Sequence, residues 1–268
     1  MEQIKGKVVL LTGGSRGIGP IVANALAKKG ADIALAARSE SGLQDVAAGL
    51  NKLGSRTLAF PGDLGQADER EKLIASVLKK FGKIDILVNN AGVEMEGAYK
   101  ELTWPSIREA IDINLIAPMA LTHLVLPEML KRKEGHIVNI ASIAAKSGAP
   151  YAAVYSGTKA GLAEWTRALR LELAGTGVQF STIFPGYVRD VGMFAKFGMK
   201  SPLLVGSCAP SQVADAVVNA IEKKTIEKII NFPPLRYSFA INEIFPSLGD
   251  WLMNISGVNH FQRRKVGK

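Results

Sequence analysis

What most constrains this chain is a change of hydrophobic period that recurs along it. Short apolar β-type runs at 8–12, 32–37, 56–60, 84–89, 136–141, 178–184 and 227–232 alternate with longer amphipathic stretches near 17–29, 40–53, 67–81, 103–132, 152–174 and 211–223. Strand–helix alternation of this kind returns each strand parallel to the last, with helices packed over both faces. The pattern predicts an α/β fold, a seven-stranded parallel sheet joined by right-handed crossovers. No repeat, low-complexity tract or linker interrupts it before residue 231.

A length of 268 residues with 47% hydrophobic content supports a large α/β core. The expected division is a cofactor-binding and catalytic domain over 1–231 and an amphipathic extension over 232–268. The lone cysteine, Cys208, excludes a disulfide framework. No apolar run reaches the ~18 residues needed to span a bilayer, and the opening M-E-Q-I-K-G-K has no signal-peptide core. The expected location is the cytoplasm. The net charge of +9 comes largely from basic clusters such as Lys79-Lys80, Lys131-Arg132-Lys133 and Arg263-Arg264-Lys265. Most fall at expected helix ends or in the tail, where solvated cations complement the helix dipole. With no recognition motif or aromatic interleaving, nucleic acid is not an expected partner.

The first strand runs into T-G-G-S-R-G-I-G at 12–19. Gly13, Gly17 and Gly19 allow a tight turn and close approach of backbone to a pyrophosphate at a helix N-terminus. Pro20 then sits in the first helical turn, where its missing N–H costs little. The second strand ends Ala37-Arg38-Ser39, with no carboxylate to hold a ribose diol. Arg38, and Arg16 in the glycine turn, suit a 2′-phosphate instead, so the expected cofactor is NADP(H). Asp63, after the third strand, reads either as an adenine contact or as a turn residue. Asn89-Asn90-Ala91-Gly92 closes the fourth strand, with Asn89 read as a brace between strands.

Tyr155 and Lys159 stand four apart in a helical stretch, hence on one face. A cation beside a phenol lowers its pKa and makes it a usable proton donor. Ser142 lies at the end of an apolar run and can point into the same site to hold a carbonyl oxygen. Alone, such a Tyr–Lys pair more often means a surface lysine beside a half-buried tyrosine. Asn114 sits inside the helical stretch 103–132, and Pro118 cannot donate to the Asn114 carbonyl. That predicts a kink, and a freed carbonyl to anchor a water linking Lys159 to solvent.

Together, T-G-G-S-R-G-I-G, Asp63, N-N-A-G at 89–92, Asn114, Ser142, Y-S-G-T-K at 155–159 and P-G at 185–186 closely resemble the single-domain short-chain dehydrogenase/reductase family. The likeness covers roughly residues 5–230 and points to the NADP-preferring type. It implies a Rossmann-type doubly wound sheet and a catalytic set: Asn114 for a water relay, Ser142 to position the carbonyl, Tyr155 as acid/base, and Lys159 to tune the phenol and bind ribose. It further implies cofactor contacts from Gly13, Ser15, Arg16, Gly17, Ile18, Gly19, Arg38, Asp63, Leu64, Asn90, Ala91, Gly92, Tyr155, Lys159, Pro185, Gly186 and Val188, with no metal. One departure is Asp190, which stands where the family usually carries a threonine for the nicotinamide carboxamide.

The long helices carry apolar residues on more than one face, which predicts a homodimer or homotetramer. The loop 187–209 holds Met193, Phe194, Phe197, Met199, Leu203 and Leu204. These either line a hydrophobic substrate site or close the loop on the core. In the tail, Leu248, Trp251, Leu252 and Ile255 form an i, i+3, i+4, i+7 stripe. The stripe packs on the parent domain or a partner, or rests on a membrane. The expected activity is NADPH-dependent reduction of a hydrophobic ketone, reversible as alcohol oxidation. A 3-oxoacyl-carrier-protein reductase and a non-catalytic NADP(H) sensor are the alternatives.

Overall fold

The computed structural model describes residues 4–195, 197–199, 201–202 and 205–267. Leu203 and Leu204 of the expected substrate loop lie outside the described residues. Among the described residues there are seven strands: β1 (Val8–Thr12), β2 (Asp32–Ala37), β3 (Thr57–Pro61), β4 (Ile86–Asn89), β5 (Gly135–Ile140), β6 (Val178–Pro185) and β7 (Glu227–Ile230). All pair in parallel, in the order β3-β2-β1-β4-β5-β6-β7. This is the doubly wound, Rossmann-type arrangement expected from the alternation, with several strand ends displaced by one or two residues. Pro61, which cannot donate to a ladder, is tolerated because β3 is an edge strand.

Alternation along β1 sends its side chains into two layers. Val9 and Leu11 pack with α1 (Gly19–Lys28), α2 (Glu40–Asn51) and α8 (Pro210–Lys223), through Val22, Leu26, Leu43, Leu50, Val213 and Val217. Val8 and Leu10 face the other layer, where Leu73 and Val77 of α3 (Ala67–Phe81) meet Leu121, Val125 and Met129 of α5 (Ala117–Arg132). Each large side chain buried this way contributes about 1.5–3 kcal/mol.

The expected single helix over 103–132 is interrupted. α4 (Trp104–Ile111) passes through a π-helical turn at Asp112–Ile116 into α5, and Pro118 occupies the first turn of α5. The turn widens because the Ala117 N–H reaches back five residues to the Asp112 carbonyl. By length and composition alone, Trp104–Arg132 would suffice to cross a membrane, since one 18-residue window within it reaches a mean hydropathy of 1.4. No uninterrupted apolar run signalled this, because the few polar residues are spread along it. The packing of α5 on the sheet explains its hydrophobicity instead.

The chain continues through α6 (Ala153–Glu172) and the short α7 (Gly192–Ala195), which precede α8. The extension folds into α9 (Arg236–Ile244), α10 (Pro246–Ile255) and α11 (Val258–Lys265). On α11, Val258, Phe261, Gln262 and Lys265 are buried at i, i+3, i+4 and i+7, so this helix docks on the body by one face.

Candidate active site

A cavity of about 890 Å3 opens beside the C-terminal ends of β1 and β4, where the strand order reverses. Open parallel sheets bind ligands at such a crevice. At its floor the turn after β1 holds Gly13 and Gly17 at φ 69° and 66°, a region side chains disfavour. A Cβ on Gly13 would stand 2.8 Å from Asn90 Nδ2, and one on Gly19 would collide with the Gly13 carbonyl oxygen. The turn is a cradle that admits backbone and ligand but no side chain. Ser15, Arg16, Gly17 and Ile18 line the cavity, whereas Gly19 is buried in the first turn of α1 and supports the cradle from behind.

Asn90 ties this turn to β4: its backbone N–H donates to Thr12 Oγ1 (3.0 Å), and its Nδ2 donates to the carbonyls of Thr12 (2.9 Å) and Gly13 (3.2 Å). Asn89 braces strands as expected, donating to Asn139 Oδ1 at 2.8 Å. Asn90, Ala91 and Gly92 all reach the cavity, as do Asp63 and Leu64. Asp63 Oδ1 also accepts from the Gly65 N–H at 3.0 Å, so its turn role is present whatever else it contacts.

At the end of β2, Arg38 lines the cavity and its Nη1 lies 3.3 Å from Glu109 Oε1. Both side chains are about half exposed, at 55% and 52%. A pair that exposed is worth about 0–1 kcal/mol and gives way readily to a stronger anion. With Arg16 lining the same cavity and alanine, not an acid, at position 37, the donor set fits a phosphorylated ribose.

The reactive corner is assembled by β5 and α6. Ser142, just past β5, accepts from the Ala144 N–H at 3.2 Å and acts to lower the Tyr155 phenol's pKa. Lys159, 4% exposed, stands one turn beyond Tyr155 and donates from Nζ to the Ile140 carbonyl at 2.9 Å. Ser142, Tyr155 and Lys159 line the cavity together with Pro185, Gly186 and Val188. Asn114 does not reach it. Fully buried at the π-helical turn, it grips Val93, accepting from its N–H and donating to its carbonyl, both at 2.9 Å, and also donates to Thr158 Oγ1 at 3.3 Å. It therefore holds Gly92 in place, where any Cβ would come within 3.2 Å of Asn114 Oδ1 and 3.6 Å of Lys159 Nζ.

Burial lowers the Lys159 ammonium to about 8. The Tyr155 phenol is not lowered as expected but pushed up to about 12. Burial is the largest cause, the Ser142 hydrogen bond opposes it, and the charges of Glu94 and Glu96 add to it. Lys159 Nζ is 5.9 Å from the Tyr155 ring centroid and directed to a backbone carbonyl, so its influence is outweighed. At neutral pH the phenol carries its proton.

The far wall is largely apolar, from Met193, Phe194, Leu235, Phe239, Leu252 and Met253. Of the other expected loop residues, Phe197 is 37% exposed and Met199 half-buried. Asp190 is exposed, at φ 67°, and absent from the lining; Tyr187 is there instead. On the tail stripe, Leu252 belongs to the cavity wall, while Leu248, Trp251 and Ile255 are 44%, 56% and 58% exposed. Lys265, expected to be a solvated cation, is buried, pairing with Glu94 Oε1 at 2.6 Å and Glu96 Oε1 at 2.5 Å. Glu94, Glu96 and the whole of α11 escaped sequence reasoning, although the i, i+3, i+4, i+7 spacing of Val258, Phe261, Gln262 and Lys265 was available as a signal.

A family profile described as "short chain dehydrogenase" matches residues 7–201. The chain is 40% identical to "Ketoacyl reductase HetN" of Nostoc sp., over 99% of this chain and 94% of that one. It is 36% identical to "3-oxoacyl-[acyl-carrier-protein] reductase" of Synechocystis sp., over 70% of this chain and 76% of that one. Among solved structures, a single-residue variant of actinorhodin polyketide ketoreductase with NADPH superposes with a TM-score of 0.78 at 33% identity, covering 84% of this chain and 95% of that one. A metagenomic short-chain oxidoreductase in complex with NADP gives 0.73 at 30% identity, covering 85% and 97%. With the sheet order, the glycine cradle and the Ser–Tyr–Lys corner in agreement, the chain belongs to the short-chain dehydrogenase/reductase family, a family of oxidoreductases.

Proposed function

We propose that this protein is an NADPH-dependent ketone reductase, reversible as an alcohol dehydrogenase, acting on apolar carbonyl compounds of the 3-oxoacyl type. One observation carries the reading: Ser142, Tyr155 and Lys159 meet on a wall shared by the glycine cradle and by a largely apolar chamber. Bound NADPH supplies a hydride to the carbonyl carbon. Arg16 and Arg38 hold its 2′-phosphate, the turn from Gly13 to Ile18 takes the pyrophosphate, and Asp63 and Leu64 flank the adenine. Asn90, Ala91, Gly92, Pro185, Gly186 and Val188 shape the path to the nicotinamide. Ser142 donates to the carbonyl oxygen, Tyr155 gives that oxygen its proton, and Lys159 holds the ribose and resupplies the phenol. Asn114 keeps the Gly92 backbone clear of Lys159 and, through its carbonyl, anchors the water that links Lys159 to solvent.

The names of the relatives in Nostoc and Synechocystis favour a 3-oxoacyl substrate, free or on an acidic carrier that the basic surface would meet. Exposed Trp104, Ile116 and Leu171 on the long helices support a homodimer or homotetramer. The open stripe on α10 supports peripheral contact of a cytoplasmic protein with a membrane. The test is NADPH consumption with a set of methyl alkyl ketones, acetoacetyl thioesters and an acetoacetyl carrier protein. Turnover with at least one is expected. Tight NADPH binding with no turnover on any of them would replace the reading with that of a non-catalytic sensor.

A further inference from the structure

Three charged groups of the cavity wall have no part in the reaction as described, and they connect it to the C-terminal helix. Glu94 and Glu96 lie on the segment after Gly92; Lys265 comes from the last turn of α11, well beyond the residues matched by the family profile. The Lys265 side chain is 1% exposed, and those of Glu94 and Glu96 are 20% and 9% exposed. Its ammonium bridges the two carboxylates and lies 4.4 Å from the centroid of the Phe197 ring. All three groups line the cavity that contains the Tyr155 phenol.

An ion cluster this deep is costly to build and confers little net stability. Its geometry does two other things. It anchors α11, whose Gln262 donates to the Tyr187 hydroxyl at 3.4 Å, against the substrate side of the cavity. It also sets the charge that the reacting phenol faces. We propose that Lys265 is a positioning residue of the reaction: by pairing with Glu94 and Glu96 it fixes the C-terminal wall of the substrate chamber and offsets the negative charge directed at Tyr155. The inference rests on the reductase reading given above.

The electrostatics agree with this placement. Glu94 and Glu96 both push the Tyr155 phenol upward. The Glu96 carboxyl is itself raised to about 7, by burial first and Glu94 second, with Lys265 opposing. Its Oε2 is buried without a partner, as suits a group that readily holds a proton. Among the described residues, the Tyr187 phenol, pushed up chiefly by burial, also faces the cluster.

The test follows alcohol oxidation, which needs the ionised phenol, against pH in wild type, Lys265→Met, Glu96→Gln and the double variant. NADPH affinity is measured in parallel by fluorescence titration. In Lys265→Met the midpoint of the rising limb should move up by about one pH unit, within the range a lost opposite charge produces. KM should rise about tenfold, while NADPH affinity stays within about twofold, because the altered group lies away from the cradle. Glu96→Gln alone should move the midpoint down, and the double variant should bring it back towards wild type. If Lys265→Met does not fold, the downward shift in Glu96→Gln carries the test. A midpoint that stays put in folded Lys265→Met, or a shift the double variant does not reverse, overturns the proposal. A wild-type protein that turns over no alcohol or ketone overturns the reductase reading beneath it.

Discussion

Replacing Arg38 with alanine should separate the two nicotinamide dinucleotides. The guanidinium reaches the cavity at the end of β2, where the chain carries alanine at position 37 rather than an acid. Charge-assisted hydrogen bonds to a phosphate are worth about 1.5–3 kcal/mol. Arg38 is 55% exposed, which places its contribution near the lower end, and binding must also break the exposed Glu109 pair, worth about 0–1 kcal/mol. The net is about 0.5–1.5 kcal/mol, or about 2- to 12-fold weaker NADPH binding in Arg38→Ala. NADH, lacking the phosphate, should bind Arg38→Ala and wild type within about twofold of each other. Glu109→Gln should act in the opposite direction, tightening NADPH by up to about fivefold at low salt, an effect that added salt should shrink. Fluorescence titration of the three proteins with both dinucleotides, at low and high salt, reads all of these values. Equal weakening of NADPH and NADH in Arg38→Ala would refute the assignment of the phosphate to this rim.

Pro118→Ala restores an N–H where the π-helical turn meets α5, and should slow turnover several-fold while leaving NADPH affinity unchanged. Equal turnover in the variant and wild type would remove the relay assigned to the Asn114 carbonyl. His136, held by Ser181 at 2.8 Å, is lowered to about 4, by burial first and then by Lys224. In the unfolded chain it takes up a proton below about 6.5. Between those two values the unfolded state binds more protons, so stability should fall with acidification by up to about 3 kcal/mol, all of it retained above pH ~6.5. Chemical denaturation of wild type and His136→Gln across that window checks the sign, since the variant should lose this part of the pH dependence. Full-length protein carrying Ile244→Ser and Trp251→Ser, two exposed side chains of α9 and α10, should float less with anionic liposomes than wild type. Equal flotation would end the membrane contact.

The sheet and its cofactor edge were legible because each depends on local chemistry. A buried parallel strand needs an apolar run, and a cradle needs glycines where a Cβ would strike a neighbour, as at Gly13 and Gly19. A disturbance of the helix near Pro118 was legible for the same reason, though its form, a π-helical turn, was not. What escaped depends on pairings distant in sequence. Lys265 reads as one of three adjacent cations until Glu94 and Glu96, from far earlier in the chain, are placed against it. The acidity of Tyr155 was misjudged for a related reason. Four-residue spacing puts Lys159 on the right face, but burial and two remote carboxylates decide the direction of the shift. Asp190 stands out in the sequence as a departure at the family's threonine position after Pro185-Gly186; the backbone there turns through a left-handed residue and the side chain is exposed.

The claim that Tyr155 is the proton donor meets its most direct test in Tyr155→Phe, a change that removes one oxygen from the cavity wall. Single-turnover reduction of whichever ketone wild type accepts, measured alongside NADPH affinity, isolates that oxygen. A fall in rate of about 100-fold or more, with cofactor binding within about twofold of wild type, is the predicted result. A variant that reduces the ketone as fast as wild type would contradict the account.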